Sequence, residues 1–278
     1  VYKRLIELHQ KEGLSFKNVI TFNLDEYFGL EKMDINSYFQ FMHENLFNHI
    51  DILPENINIP SGKLNSNQVL SYCKEYEEKI INAGGIDLQL LGIGRTGHIG
   101  FNEPGSNVNS QTRLVTLDHL TRFDAAPAFN GIDNVPRKAI TMGIKTILSA
   151  KRIILLAWGT NKSEIIQKAI EGEINSNIPT TYLQNHKNTT IIVDDHAASN
   201  LTRIKTPWIT GNCNWKNDNI RFRAVNWLCS KTNKSILKLT EEDYNLNGLS
   251  ELLMLEGNYY DLNIRMFNRV QNTITGWP

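Results

Sequence analysis

Apolar runs of strand length recur along the chain at Val19–Leu24, Ile86–Leu91, Arg113–Leu117, Ile153–Trp158 and Thr190–Val193. Between them the apolar positions switch to helical spacing. Asn36–His49 carries Tyr38, Phe39, Met42, Leu46 and Phe47 at that spacing, and Val69–Ile81 does likewise before Gly84–Gly85, a C-terminal helix signal. Asn161–Ile170 reads as a third helix. The opening VYKRLIELHQ sets Leu5, Ile6 and Leu8 on an apolar side with no cap before it. Strands that alternate with helices and are apolar throughout predict a doubly wound α/β fold, a mostly parallel sheet with helices on both faces. Such a domain ordinarily opens with a strand and a turn, so a further N-terminal piece is expected ahead of Val1.

After about Arg203 the pattern changes. TPWITGNCNW is rich in turn formers, and beyond it Asn219–Lys231 and Ser250–Val270 are polar-faced helical patterns separated by charged, Asn-rich loops. The expected organisation is an α/β domain over residues 1–205 and a helical extension or linker over 206–278, leading toward a further module.

Charge and composition narrow the partners. The 29 Lys and Arg residues balance the 29 Asp and Glu residues, without long like-charge runs, so neither nucleic acid nor a membrane surface has electrostatic support. A small-molecule partner is expected. No apolar stretch approaches the roughly 18 residues that a membrane span requires. The three cysteines, Cys73, Cys213 and Cys229, are odd in number and far apart, which reads as reduced thiols in a cytoplasmic protein.

Candidate chemistry concentrates where strands end, because ligands of open α/β sheets sit outside the carboxyl ends of the strands. After Val19–Leu24 come Asp25 and Glu26. After Ile86–Leu91 comes GIGRTGHIGFNEPGS, whose Gly92, Gly94 and Gly97 spell the opening of a dinucleotide fingerprint, with Asp118 about twenty residues on. That fingerprint needs a helix after its last glycine. Gly100, Pro104 and Gly105 interrupt any helical period here, and the segment carries His98 and Glu103 instead, so it reads as an active-site loop. Carboxylates at both strand ends and an imidazole, with no metal set or nucleophile nearby in sequence, point to general acid–base chemistry without a cofactor. The bland alternatives are that Asp25 and Glu26 cap the next segment, and that His98 and Glu103 are ordinary loop residues.

TFNLDEYFGL (Thr21–Leu30), SYFQFMHENLF (Ser37–Phe47), GHIGFNEPGS (Gly97–Ser106) and TRLVTLD (Thr112–Asp118) together resemble the glucosamine-6-phosphate deaminases in order and spacing. The related 6-phosphogluconolactonases share the glycine–histidine loop but not FNEP. The resemblance covers about Val1 to Arg203, and the tail is similar to the inter-module segment of longer relatives with a second, deacetylase-like domain. It implies ring opening of glucosamine 6-phosphate, aldose-to-ketose isomerisation and release of ammonia, in a homo-oligomer. By motif match Asp25 is the base for the C2 proton, His98 handles the ring-opening proton, and Glu103 orients His98. Gly94, Arg95, Thr96, Gly97 and Lys187 are the substrate-binding candidates.

The pattern departs from the family at several positions. Thr96 stands where the family has Asp, Pro127 where it has a phosphate-gripping Arg, and Asn188 where it has Lys, unless the register shifts to Lys187. The family's glycine–threonine phosphate loop would precede Val1. Ser106, Arg113 and Thr116 match an allosteric site of some members, but Val115 replaces its Lys, and that regulation is not expected. A lactonase or isomerase acting on another sugar phosphate, or a non-catalytic sugar-phosphate sensor or scaffold, stays open beside the deaminase.

Overall fold

The computed structural model describes residues 1–275. The chain divides into two compact units, Val1–Ala197 and a second beginning at Ala198.

The first unit contains eight strands: β1 (Thr21–Phe22), β2 (Asp25–Tyr27), β3 (Ile57–Asn58), β4 (Leu88–Leu91), β5 (Arg113–Thr116), β6 (Lys138–Thr141), β7 (Arg152–Ala157) and β8 (Thr189–Val193). Its main helices are α1 (Tyr2–Glu12), α2 (Tyr38–Asn45), α3 (Val69–Asn82), α4 (His119–Ala125), α5 (Ile144–Leu148) and α6 (Ser163–Glu171). The fold is α/β, and parallel pairing predominates. β1 pairs with β3, and β7 pairs with both β4 and β8, all in parallel. The remaining sheet, in the order β2–β6–β5, is antiparallel throughout.

The Val19–Leu24 run therefore does not lead straight into a site carboxylate. Its strand is only Thr21–Phe22, a bend follows at Leu24, and Asp25 opens a separate strand in the antiparallel sheet. Asp118 has a local job, since its carboxylate accepts the Leu120 N–H at 2.7 Å and caps α4. No helix follows Gly97 before residue 119, as the glycine and proline spacing requires.

Packing ties these pieces together. Tyr27 sits between Tyr38, Phe101 and Phe129, with ring centroids 5.5, 5.2 and 5.2 Å away. Each such pair contributes roughly 0.5–1.5 kcal/mol beyond area burial. Because Phe101 belongs to the His98 loop, this cluster presses the loop against β2. Buried Glu77 on α3 accepts the backbone N–H and hydroxyl of Thr112 and the Thr146 hydroxyl, tying the approach to β5 to α5.

The second unit is helical. Asp218–Thr232, Glu241–Leu246, Ser250–Glu256 and Tyr259–Thr275 enclose a core that includes Trp208, Trp215, Leu228, Tyr244, Leu252, Leu262 and Met266. Inside this core Tyr244 donates to Asn263 at 2.7 Å, and Asn263 donates to the Leu239 carbonyl at 2.9 Å, so these two side chains are paired. The Glu256 carboxylate is buried between Arg221 and Arg265.

Candidate active site

The loop after β4 is built around the His98 ring. An alanine Cβ at Gly94 would lie 2.0 Å from His98 Nε2, so only glycine leaves room for the ring there. Gly97 has φ +82°, a left-handed conformation that turns the chain into His98. Three groups gather at one ring nitrogen: Thr96 Oγ1 lies 2.9 Å, Glu103 Oε2 3.3 Å and Thr121 Oγ1 3.5 Å from Nδ1. The imidazole is thereby fixed in orientation.

Glu103 is held by its surroundings as a carboxylate. Burial pushes its pKa up, but contact with His98, Thr121 and the Asp118 N–H outweighs burial and leaves it below the ordinary value. The loop is also clamped from outside. Thr180 bonds the Gly97 carbonyl through both its N–H, at 2.9 Å, and its hydroxyl, at 2.5 Å. Gly105 N donates to the Ser176 carbonyl at 2.8 Å, so the turn before Thr181 grips the segment on both sides of His98 and Glu103.

Asp25 approaches this loop from β2. An added Cβ at Gly100, two residues after His98, would lie 3.2 Å from Asp25 Oδ2. Burial, and secondly the charge of Glu26, push the Asp25 carboxyl up to about 7. Its neighbour Glu26 has a different task. Glu26 is buried and accepts the N–H groups of Tyr27, Tyr38 and Phe39 at 2.9–3.0 Å, which ties β2 to the start of α2. The capping alternative thus describes Glu26 and not Asp25.

Asp25 also lines a cleft of about 720 Å³. The cleft is bordered by β1 and by β4, whose Leu88 and Leu90 face it, half exposed.

The structure brings Gly94, Thr96 and Gly97 to His98, and sets Arg95 beside them in an exposed ion pair with Asp124 at 3.0 Å. It does not bring Lys187. That residue precedes β8, whereas the His98 loop follows β4, and the two strands run parallel in one sheet. At about 3.3 Å per strand residue, this puts Lys187 ~15 Å away along the strands. There it lines a separate pocket of about 400 Å³ with Lys151, His186 and Asn188.

Sequence reasoning missed Lys162. It closes the Thr160–Lys162 turn after β7, at the same end of the sheet as His98, and donates to the Ile93 carbonyl at 2.8 Å. Burial lowers its pKa, and nearby Arg95 lowers it further while Asp124 raises it, so the three charges share one neighbourhood. The strand-end rule reaches this lysine if applied to the Ile153–Trp158 run.

Among the described residues, no cluster of three or more His, Cys, Asp or Glu side chains is arranged to hold a metal ion. No helix among them is long and apolar enough to cross a membrane, and Cys73, Cys213 and Cys229 are free thiols.

The profile described as glucosamine-6-phosphate isomerases/6-phosphogluconolactonase matches residues 1–192. The chain belongs to this family. Within the family it is 50% identical over 201 residues to a glucosamine-6-phosphate deaminase of Clostridium botulinum, covering 72% of this chain and 82% of that protein. A glucosamine-6-phosphate deaminase-like protein of Bacteroides thetaiotaomicron is 51% identical over all 278 residues, and this chain spans only 42% of its length. A solved monomeric glucosamine-6-phosphate deaminase superposes with a TM-score of 0.69 at 48% identity, over 72% of this chain and 82% of that one. The 6-phosphogluconolactonase of Trypanosoma brucei superposes at 0.56 with 17% identity, covering 71% of this chain and 81% of that one, a likeness of fold alone.

Proposed function

We propose that the chain carries the catalytic groups of a glucosamine-6-phosphate deaminase, converting glucosamine 6-phosphate and water into fructose 6-phosphate and ammonia. The observation that carries this reading is the Asp25 carboxyl, held at about 7 against the His98 loop. A carboxyl with that pKa is substantially ionised near neutrality and also returns a proton readily, as a shuttle between adjacent carbons must.

His98, with its ring fixed through Nδ1, moves the proton that opens the sugar ring. Glu103 and Thr96 orient that ring. Asp25 takes the proton from C2 and delivers it to C1 while O1 gains a proton and the amine nitrogen gives one up, which turns the aldose amine into a ketose imine. Water adds at C2, ammonia leaves, and the ketose phosphate remains. The phosphate falls to Lys162, with Arg95 as the second cation, since both stand at the loop end of the parallel sheet and Lys187 does not. The reading uses no cofactor. A cytoplasmic homo-oligomer is the finer expectation; its support is the family resemblance, set against a solved relative that is monomeric.

Ammonia release from glucosamine 6-phosphate tests this reading directly. Asp25→Asn is expected to lower the rate on the order of a hundredfold or more. Release that is unchanged in this variant would remove Asp25 from the chemistry. Sugar-phosphate binding without turnover by the parent chain would favour the sensor instead.

A further inference from the structure

The proposed acid–base groups come from two segments, and one residue outside both, Thr141, pairs with the first and hydrogen-bonds the second. Thr141, the last residue of β6, is fully buried and stands opposite Asp25 in the antiparallel register of β2 and β6. The next residue, Met142, donates its N–H to the Leu24 carbonyl at 2.7 Å, so the backbone on either side of this pairing is fixed. On its other side the Thr141 hydroxyl accepts the Phe101 N–H at 3.0 Å and donates to the Met142 carbonyl at 3.3 Å. Phe101 lies three residues after His98 in the loop.

The contact falls where the loop comes near Asp25. A Cβ added at Gly100 would meet Thr141 Oγ1 at 3.0 Å and Asp25 Oδ2 at 3.2 Å, so the hydroxyl, the carboxylate and the loop backbone crowd one point. Gly100 itself has φ +56°, which glycine accepts without strain. Asn102, also fully buried, adds a parallel tie by donating to the Met142 carbonyl at 2.8 Å. The Thr141–Met142 corner is therefore where the loop docks on the sheet that holds Asp25.

We infer that Thr141 is a positioning residue: through its hydroxyl it sets the spacing between Asp25 and the His98–Glu103 segment. The inference rests on the proposed deaminase reading for its effect on rate, but its geometric content is independent of that reading. Thr141 touches no substrate in this scheme. It acts by holding the Phe101 N–H, and with it the loop, at a fixed distance from the carboxylate.

Thr141→Val keeps the volume and removes the hydroxyl, and Thr141→Ser keeps the hydroxyl. Ammonia release by the valine variant is expected to fall at least about tenfold in kcat, with KM within about twofold, because misplacing reacting groups costs rate without loosening the substrate. The serine variant is expected to recover most of the rate. A valine variant with the parent's kcat would overturn the inference.

Two measurements decide it whether or not the chain turns over. With 13C-labelled aspartate, the Asp25 carboxyl of the valine variant is expected to titrate about half a unit or more away from the parent value, and the serine variant close to it. Glu26, Tyr27, Tyr38 and Tyr76 are the other ionisable groups acting on or beside Asp25, and all are unchanged in both variants. Identical titration in parent and valine variant would overturn the inference. In the parent, the Phe101 amide is expected to exchange slowly with deuterium. Exchange as fast as an open loop amide would overturn it too, even if the valine variant did not fold. Absence of ammonia release by the parent would count against the deaminase reading alone.

Discussion

Asp25 and His98 are delivered by two different kinds of sheet. The antiparallel sheet β2–β6–β5 presents Asp25 directly from a strand, where backbone pairing on β6 fixes its position and burial sets its pKa. The parallel sheet β4–β7–β8 presents His98 from a loop beyond β4, where position depends on contacts made after the strand has ended. Burial sets the charge of the first group, and contacts beyond the strand set the place of the second. Changes at the first should therefore register in pH dependence, and changes at the second in rate at constant fold.

The largest expected effect lies on the Asp25 side. Its folded-state pKa is raised from 3.8 to about 7, first by burial and then by Glu26, so the folded protein holds this proton more tightly than the unfolded chain. The resulting stabilisation is complete below the unfolded pKa and is lost as pH rises through about 7. Asp25→Asn keeps a neutral side chain at every pH. At pH 8 it is expected to be more stable than the parent by on the order of 2–4 kcal/mol, at 1.36 kcal/mol per unit, while at pH 4 the two should melt nearly together. Thermal melts at both values check this. A stability difference independent of pH would mean that Asp25 is not the buried acid described.

On the His98 side the expected effect is a loss of rate without loss of fold. Gly94→Ala places a Cβ 2.0 Å from the ring, and Gly94 is not in a left-handed conformation, so the backbone accepts alanine and the imidazole must swing away. A displacement of that size is expected to cost on the order of a hundredfold in kcat with the melting temperature nearly unchanged. A variant with full activity would show that the ring need not occupy this position. Unfolding of the variant would show instead that the ring is part of the core.

The same contrast explains what the sequence made legible. Strands β4, β7 and β8 coincide with apolar runs, as strands of parallel sheets do, and β7 is buried at alternate positions while Leu88, Leu90 and Ile192 of its neighbours are half exposed. Lys138–Thr141 offers only Ile140 as a large apolar side chain, yet β6 is central, because it pairs with β2 on one edge and β5 on the other. The β2–β6 pairing joins residues more than a hundred positions apart, Asp25 with Thr141, and leaves no local period to read. The same holds within the site. His98, Glu103 and Thr96 are neighbours in sequence, so the loop could be read as a unit, whereas Thr141 and Thr180 reach it from distant segments. Glu26 and Asp25 are adjacent and chemically alike. Only the positions of the α2 amides and Gly100 separate the structural acid from the candidate base.

The two ends of the parallel sheet supply the finest comparison. Lys162 lies beyond the carboxyl end of β7, half-buried on the Ile93 carbonyl. Lys187 lies before the amino end of β8, beside an open pocket. Both are lysines near sheet termini, and the family resemblance points to Lys187 through a shifted register. The carboxyl ends of parallel strands are where ligands collect, and only Lys162 shares that end with His98. Lys162→Met retains the aliphatic stem and removes the cation, and is expected to raise KM for the sugar phosphate about tenfold, the scale of one charge-assisted contact. Lys187→Ala is expected to leave both kcat and KM within about twofold. Steady-state ammonia release by the two variants side by side checks the pair of expectations. A larger KM effect at Lys187 than at Lys162 would move phosphate recognition to the opposite end of the sheet, and the loop-end site would then lack a grip on its substrate.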